Sequence, residues 1–308
     1  MLIHCPMNPE YEAHLEELVD LGADEFYMGY TNNLRDSLSI VSLRLSPHSN
    51  FPSLEDAARA VRRIKTLDRR VYITVNGPFY PEEFLDTIVS DVEALSREGA
   101  DGFIISDINL FLRLRESMPE LYMIASSGTH VLNSKTIEFM RSLGARRCIL
   151  PRQLAIPEIR AILSNFPDMD FEIFVLNEEC YFLDGHCNYS HYGELDYRPA
   201  CNELFSAHAA LHAARTEMWS CGLCALFHLR DFDRLSLKIC GRSLRYGPIR
   251  NNVECLGKVL GELDEYSDAG EFEARCRRLY ERIHGSPCGK KCYYDTAAVP
   301  GTGLQAGR

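Results

Sequence analysis

Short apolar runs recur along this chain, each followed by a stretch of helical period, and the alternation continues through eight rounds. The runs fall at 2–5, 25–29, 71–76, 102–106, 122–126, 147–150, 171–176 and 236–240, bounded by Gly, Pro, Asn or Asp. Short apolar runs with such boundaries suit strands buried on both faces, as in a parallel sheet. The segments between them carry readable helix starts. Ser53-Leu-Glu-Asp56 has the form of a capping box with Asp in the acidic position, and Asn133 can cap the helix carrying Ile137, Met140 and Leu143. Pro81 opens a stripe of Phe84, Leu85, Ile88, Val89, Val92 and Leu95, and Asn8-Pro9 places a cap before a proline at the first helical position. Helix exits repeat as well. Leu21-Gly-Ala-Asp24, Glu98-Gly-Ala-Asp101 and Leu143-Gly-Ala-Arg146 each put glycine where a left-handed residue closes a helix.

Eight strands with helical crossovers predict an α/β fold, a (β/α)8 TIM-like barrel with allowance for distortion, ahead of an open doubly wound sheet. No Gly-x-Gly-x-x-Gly follows the first strand, so no dinucleotide site is expected there. The interval from Asn177 to Arg234 is too long for an ordinary connection and reads as an insertion after strand seven. It carries Cys180, Cys187, Cys201, Cys221 and Cys224. The expected organisation is 1–176 for the first seven strands, 177–234 for the cysteine-rich insertion, 235–296 for the last strand and closing helices, and 297–308 for a flexible tail.

The amino terminus has no basic stretch before an apolar one, and no later run is long enough to span a bilayer, so a cytoplasmic protein without a membrane partner is expected. In that compartment the 12 cysteines are reduced thiols and metal ligands rather than a disulfide framework. Thiols gathered in a loop of Gly, Asn, Asp and His residues point to a metal or an iron–sulfur cluster, with zinc as the rival to iron. Cys221-x-x-Cys224 alone is equally compatible with a redox dithiol. Cys288 and Cys292 could complete a second metal site with a thiol of that pair. Cys148, Cys255 and Cys276 lie in strand or helix patterns and read as core or surface thiols, while Cys5 is either strand-one core or a thiol at the mouth. The net charge of -11 disfavours broad nonspecific binding to nucleic acid or anionic lipid.

In such a barrel, functional groups project from the carboxyl ends of the strands. Those ends carry Asn76, Asp107, Ser126, Ser127 and Arg152, a mixture suited to a small polar substrate with an anionic group, together with His130, Glu178-Glu179 and Cys240-Gly-Arg242. No Gly-x-Ser-x-Gly elbow and no His-Glu-x-x-His helix occurs, and no catalytic residue is assigned. His130, His186 and His191 could act as bases; His208 and His212 read as surface or packing residues.

Several of these segments carry a family resemblance. Leu21-Gly-Ala-Asp-Glu-Phe-Tyr-Met-Gly29, Val71-Tyr-Ile-Thr-Val-Asn76, Leu150-Pro-Arg152-Gln-Leu, Glu172-x-Phe174 with Cys180-x6-Cys187-x-x-Ser190, and Leu237-Lys-Ile-Cys-Gly-Arg242 occur in consistent order. Through them the chain resembles the U-type collagenase-like peptidase family. Despite that label, the resemblance implies iron–sulfur proteins for oxygen-independent hydroxylation, acting in ubiquinone synthesis or on tRNA and rRNA. It implies a [4Fe–4S] cluster at the barrel mouth with Cys180, Cys187 and Cys201 as ligands. The fourth ligand is expected at Cys224, then Cys221, then Cys240, which stands where many relatives have Glu. Leu176-Asn-Glu-Glu179 and Gly128 depart from the family pattern and separate this chain's substrate from that of any one relative. The expected function is an oxygen-sensitive iron–sulfur enzyme or enzyme subunit for redox or group-transfer chemistry on a small molecule or an RNA base, with a related protein subunit as a partner. A non-catalytic subunit stabilised by its cluster is the competing reading, and a peptidase the weakest.

Overall fold

The computed structural model describes residues 1–32, 42, 48–177, 184–185, 221–288 and 292–294. Its eight strands are parallel and close on themselves in sequence order, so the fold is the (β/α)8 barrel. The strands are β1 Leu2–Pro6, β2 Glu25–Met28, β3 Arg70–Val75, β4 Gly102–Ile105, β5 Met123–Ala125, β6 Ala145–Ile149, β7 Asp170–Leu176 and β8 Leu235–Ile239. Between them run α1 Leu15–Asp20, α2 Leu54–Thr66, α3 Glu82–Arg97, α4 Ile108–Ser117, α5 Ser134–Ser142 and α6 Ile156–Asn165, and β8 is followed by α7 Tyr246–Glu262 and α8 Ala269–His284. Among the described residues, no helix is long and apolar enough to cross a membrane.

Local chemistry accounts for the boundaries. Ser53 Oγ accepts from the Asp56 amide at 3.1 Å and donates to its carboxylate at 2.7 Å, so the serine caps α2 and Asp56 answers through the hydroxyl. Asn133 and Thr136 exchange the reciprocal bonds at the start of α5. Gly22, Gly99 and Gly144 hold φ of +110°, +100° and +105° at the three repeated helix exits, a region that costs side-chain-bearing residues energy. The Asn8-Pro9 start differs from expectation. Residues Tyr11–His14 form a 3-10 turn and the α-helix begins only at Leu15. Asn8 Oδ1 still accepts from the Tyr11 amide at 3.0 Å, so the cap forms, and its Nδ2 donates to the Arg242 carbonyl at 2.7 Å.

Two cores result. Outward-facing strand residues such as Phe26, Ile73, Phe103, Phe171 and Leu237 pack against helix residues including Leu85, Ile88, Leu114, Ile159 and Leu256. Each buried side chain of this size contributes about 1.5–3 kcal/mol. Inside the barrel, Tyr27, Tyr72, Ile104, Ile124, Ile149, Phe174 and Cys240 form a separate cluster. One pleat nearer the amino ends of the same strands, the interior is charged: Glu25, Arg147, Glu172 and Lys238 are buried together with His4.

These charges satisfy one another. Arg147 donates to both oxygens of Glu25 at 2.8 and 3.1 Å and to the Tyr72 hydroxyl at 3.2 Å. Lys238 Nζ donates to Glu172 at 2.5 Å, and His4 Nδ1 lies 2.9 Å from the other Glu172 oxygen. Two cations balance two carboxylates, which leaves the imidazole neutral. Burial pushes His4 below its ordinary value against the opposing pull of Glu172. Burial alone would raise Glu172, but contact with His4 and the charges of Lys238 and Arg147 outweigh it and hold the carboxyl well below the usual range. Glu25 is likewise held low, its burial outweighed by the two-armed contact of Arg147.

Two outcomes follow. Arg147→Met should lower the unfolding free energy by about 3–5 kcal/mol in denaturant titrations, because it strands a buried carboxylate; the double change Glu25→Gln with Arg147→Met should recover part of the loss. The folded state also binds fewer protons than the unfolded state at His4, Glu25 and Glu172, so stability should rise with pH across their range. It should be fully present above about pH 6.5 and fall on acidification, first as unfolded-state histidine protonates and again below about pH 4.5 as unfolded-state carboxylates do. Denaturation midpoints between pH 8 and pH 4 measure this, and Glu172→Gln should flatten the acid limb.

Candidate active site at the barrel mouth

The carboxyl ends of the strands form a rim with two guanidinium groups. Strand β2 runs into Gly29, where an added Cβ would stand 2.4 Å from Arg242 Nη1 and from Asn50 Oδ1. The missing side chain lets these groups converge. Arg242, reached through Gly241 at φ +111°, donates to Thr74 Oγ1 and Ser42 Oγ, both at 2.7 Å. Thr74 in turn donates to the Met28 carbonyl at 3.1 Å.

Arg152, in the chain after β6, organises the other part of the rim. Its Nη1 donates to Asp184 Oδ1 at 2.6 Å and its own amide donates to Asp184 Oδ2 at 2.9 Å. Its Nη2 donates to Cys240 Sγ at 3.2 Å, and the guanidinium carbon sits 3.6 Å from the centre of the Phe174 ring and 5.9 Å from that of Tyr293. Cys240 is only 4% exposed, and its carbonyl accepts from Asn177 Nδ2 at 3.0 Å. A buried sulfur, a cation, a carboxylate and two aromatic rings therefore meet at one point. A thiolate there would have its charge compensated at once.

The other residues nominated from sequence are placed as follows. Asp107 accepts from the Leu110 amide at 2.7 Å as the cap of α4, and from the Tyr80 amide at 2.9 Å, so it joins the loops after β3 and β4. Ser126 accepts from the Gly128 amide at 3.3 Å and starts the 3-10 turn Ser127–Thr129. Asn76 and Ser127 are half-buried on the rim. His130 holds φ +57° at the end of that turn. Cys180, Cys187 and Cys201 lie outside the described residues, as do Glu178, Glu179, His186, His191, His208 and His212. Cys221 stands beside the carboxyl end of β7, bridged to Leu176, and Cys224 follows it in the turn Leu223–His228. They sit outside the barrel wall in the core shared with α8, near Cys276, Cys288 and Cys292. Cys5 packs in the outer core, and burial pushes the Cys148 thiol up to about 12, which leaves it a protonated, inert sulfur.

Sequence reasoning passed over the interior charges, although Glu25, Arg147, Glu172 and Lys238 interrupt strands that should be continuously apolar. Ligand atoms of His4, Glu25 and Glu172 all lie within 4.8 Å of one another, spacing that a cation could use. Arg147 and Lys238 already neutralise both carboxylates, so this group is an ionic core rather than a metal site. Asp184 also escaped notice, because only the fold brings it to Arg152.

The sequence profile described as peptidase family U32 matches residues 12–298. The tRNA hydroxylation protein P of Escherichia coli K12 is 30% identical over 171 residues, covering 56% of this chain and 35% of that protein. The 23S rRNA 5-hydroxycytidine C2501 synthase of the same organism is 25% identical over 144 residues, covering 47% and 21%. The aligned region is thus about a third of the first relative and a fifth of the second. Among solved structures, N-acetylneuraminate lyase from Fusobacterium nucleatum superposes with a TM-score of 0.50 at 11% identity, covering 92% of this chain and 82% of that one, a likeness of fold alone. With its profile matching nearly the whole length, the chain belongs to peptidase family U32.

Proposed function

We propose that this chain is the barrel of an iron–sulfur enzyme that hydroxylates an RNA base without using oxygen gas. The relatives named for tRNA hydroxylation and rRNA 5-hydroxycytidine synthesis support the reaction class. The observation that carries the site is the contact of Arg152 with both Cys240 and Asp184. Asp184 stands four residues after Cys180 and three before Cys187 in sequence. An extended chain spans at most roughly 3.6 Å per residue, so both cysteines are tethered within about 14 Å of Asp184. The thiols that fit a [4Fe–4S] cluster are therefore Cys180, Cys187, Cys201 and Cys240, with Cys240 taking the fourth place in preference to Cys224. Bound there, the cluster supplies one-electron redox chemistry.

The chain's own groups have separate tasks. Arg152 compensates thiolate charge and holds the connection after β7 through Asp184. Tyr293, half-buried beside Arg152, offers an aromatic face on which a base can stack. Asp107 and Ser126 fix the rim loops on which Asn76 and Ser127 stand. A net charge of -11 leaves recognition of the remaining RNA to local contacts or to a partner subunit.

Anaerobically purified protein should be brown and contain about four iron and four sulfide per chain. Cys240→Ala should lose that iron and Cys224→Ala should keep it; a colourless protein carrying only zinc would sink the cluster. Arg152→Lys cannot reproduce the two-armed contact. It should keep the fold yet lower the yield of the oxygen-bearing nucleoside at least about tenfold, read by mass spectrometry of cellular tRNA and rRNA. If Arg152→Lys instead melts earlier while leaving the modification intact, the arginine serves only to hold the loop.

A further inference from the structure

A second group of thiols is left unused by that reading. Cys221 pairs with the end of β7 through a bridge to Leu176, and the Gly222 amide donates to the Val175 carbonyl at 2.7 Å. This fixes the Cys221-Gly-Leu-Cys224 knuckle against the barrel wall, where the 3-10 turn Leu223–His228 packs on α8. The chain beyond α8 returns to the same place. Cys292 forms a parallel bridge with Cys221, and the Tyr293 amide donates to the Cys221 carbonyl at 3.2 Å. Cys288 lies near Cys221, Cys224 and Cys292, and Cys276 of α8 stands beside Cys224. Each of Cys221, Cys224, Cys288 and Cys292 is within electrostatic reach of the other three.

We propose that Cys221, Cys224, Cys288 and Cys292 form a second metal centre, a four-thiolate site for one zinc ion, separate from the mouth thiol Cys240. Two short knuckles, Cys-x2-Cys and Cys-x3-Cys, brought together from remote parts of a chain are the arrangement that closed structural zinc sites use. Arg277 stands near Cys224, Cys288 and Cys292 and offsets the negative charge such a centre carries. Cys276 stands beside Cys224 from outside the ligand set, a place from which neighbouring groups commonly tune a metal ligand. Among the described residues no three of the sulfurs lie within 4.8 Å of one another. Cys288 is half-buried and Cys292 exposed, so binding would bring these two sulfurs closer to Cys221 and Cys224.

The centre also has a consequence for the mouth. Tyr293 follows Cys292 directly, and Tyr294 is buried with its hydroxyl donating to the Phe174 carbonyl at 2.8 Å. Metal binding would staple this segment to the barrel and hold the Tyr293 ring beside Arg152.

The test measures zinc and iron together on the anaerobically purified full chain. Wild type should hold about one zinc. The double variant Cys288→Ser with Cys292→Ser should lose zinc at least about tenfold with iron unchanged, while Cys276→Ser keeps both. Cobalt exchange into wild type gives a reading that does not depend on variant folding. It should produce intense near-ultraviolet sulfur-to-cobalt absorption with tetrahedral visible bands. Zinc retained by the double variant, cobalt bound without those bands, or iron and sulfide lost in place of zinc would each overturn the proposal. Because zinc and iron are counted separately, failure of this site and failure of the mouth cluster give different results.

Discussion

The buried charge balance inside the barrel constrains everything above it. Five strands meet in it: His4 on β1, Glu25 on β2, Arg147 on β6, Glu172 on β7 and Lys238 on β8. The closing register sets His4 opposite both Glu25 and Lys238, so the first and last strands join where the charges must pair. Sliding either strand by one residue would turn a charge outward into the apolar layer beneath the helices, leaving its partner stranded. The pairing thereby fixes the height of Tyr27, Ile149, Phe174 and Cys240, which stand one pleat closer to the mouth on those strands.

The barrel was legible because its evidence is local. Each strand is a short apolar run with turn residues at its ends, and each repeated glycine exit takes the left-handed conformation that its position implies. The Asn8 cap was legible, since its Oδ1 accepts from the Tyr11 amide, but the turn it caps is 3-10 and the α-helix begins only at Leu15. The rim was legible in part, since strand ends name Arg152 and Cys240 without any contact being known. What could not be read is which thiol belongs with which. Sequence spacing favours Cys224 beside Cys201, whereas the fold sets Cys240 against Arg152, a contact that spacing does not reveal. Asp107 shows the same limit from the other side: its place at a strand end was legible, but its contact with the Tyr80 amide, in the loop after β3, was not.

The mouth has two poles of different character. Around Arg242 the partners are hydroxyls, Thr74 and Ser42, packed against the bare backbone of Gly29. Around Arg152 they are a carboxylate, a sulfur and aromatic rings. The first brings a cation against hydroxyl groups, the second a cation against a carboxylate and a sulfur.

The long connection after β7 leaves the barrel and returns to it at nearly the same point, since Leu176 bridges directly to Cys221. Its base is closed by backbone pairing, independent of what lies between. For a loop held this way, doubling the length costs only about 0.6 kcal/mol in closure entropy. Descendants of this chain can therefore lengthen, shorten or exchange that segment with little penalty to the barrel, and so change what is presented at the mouth while the scaffold beneath stays constant.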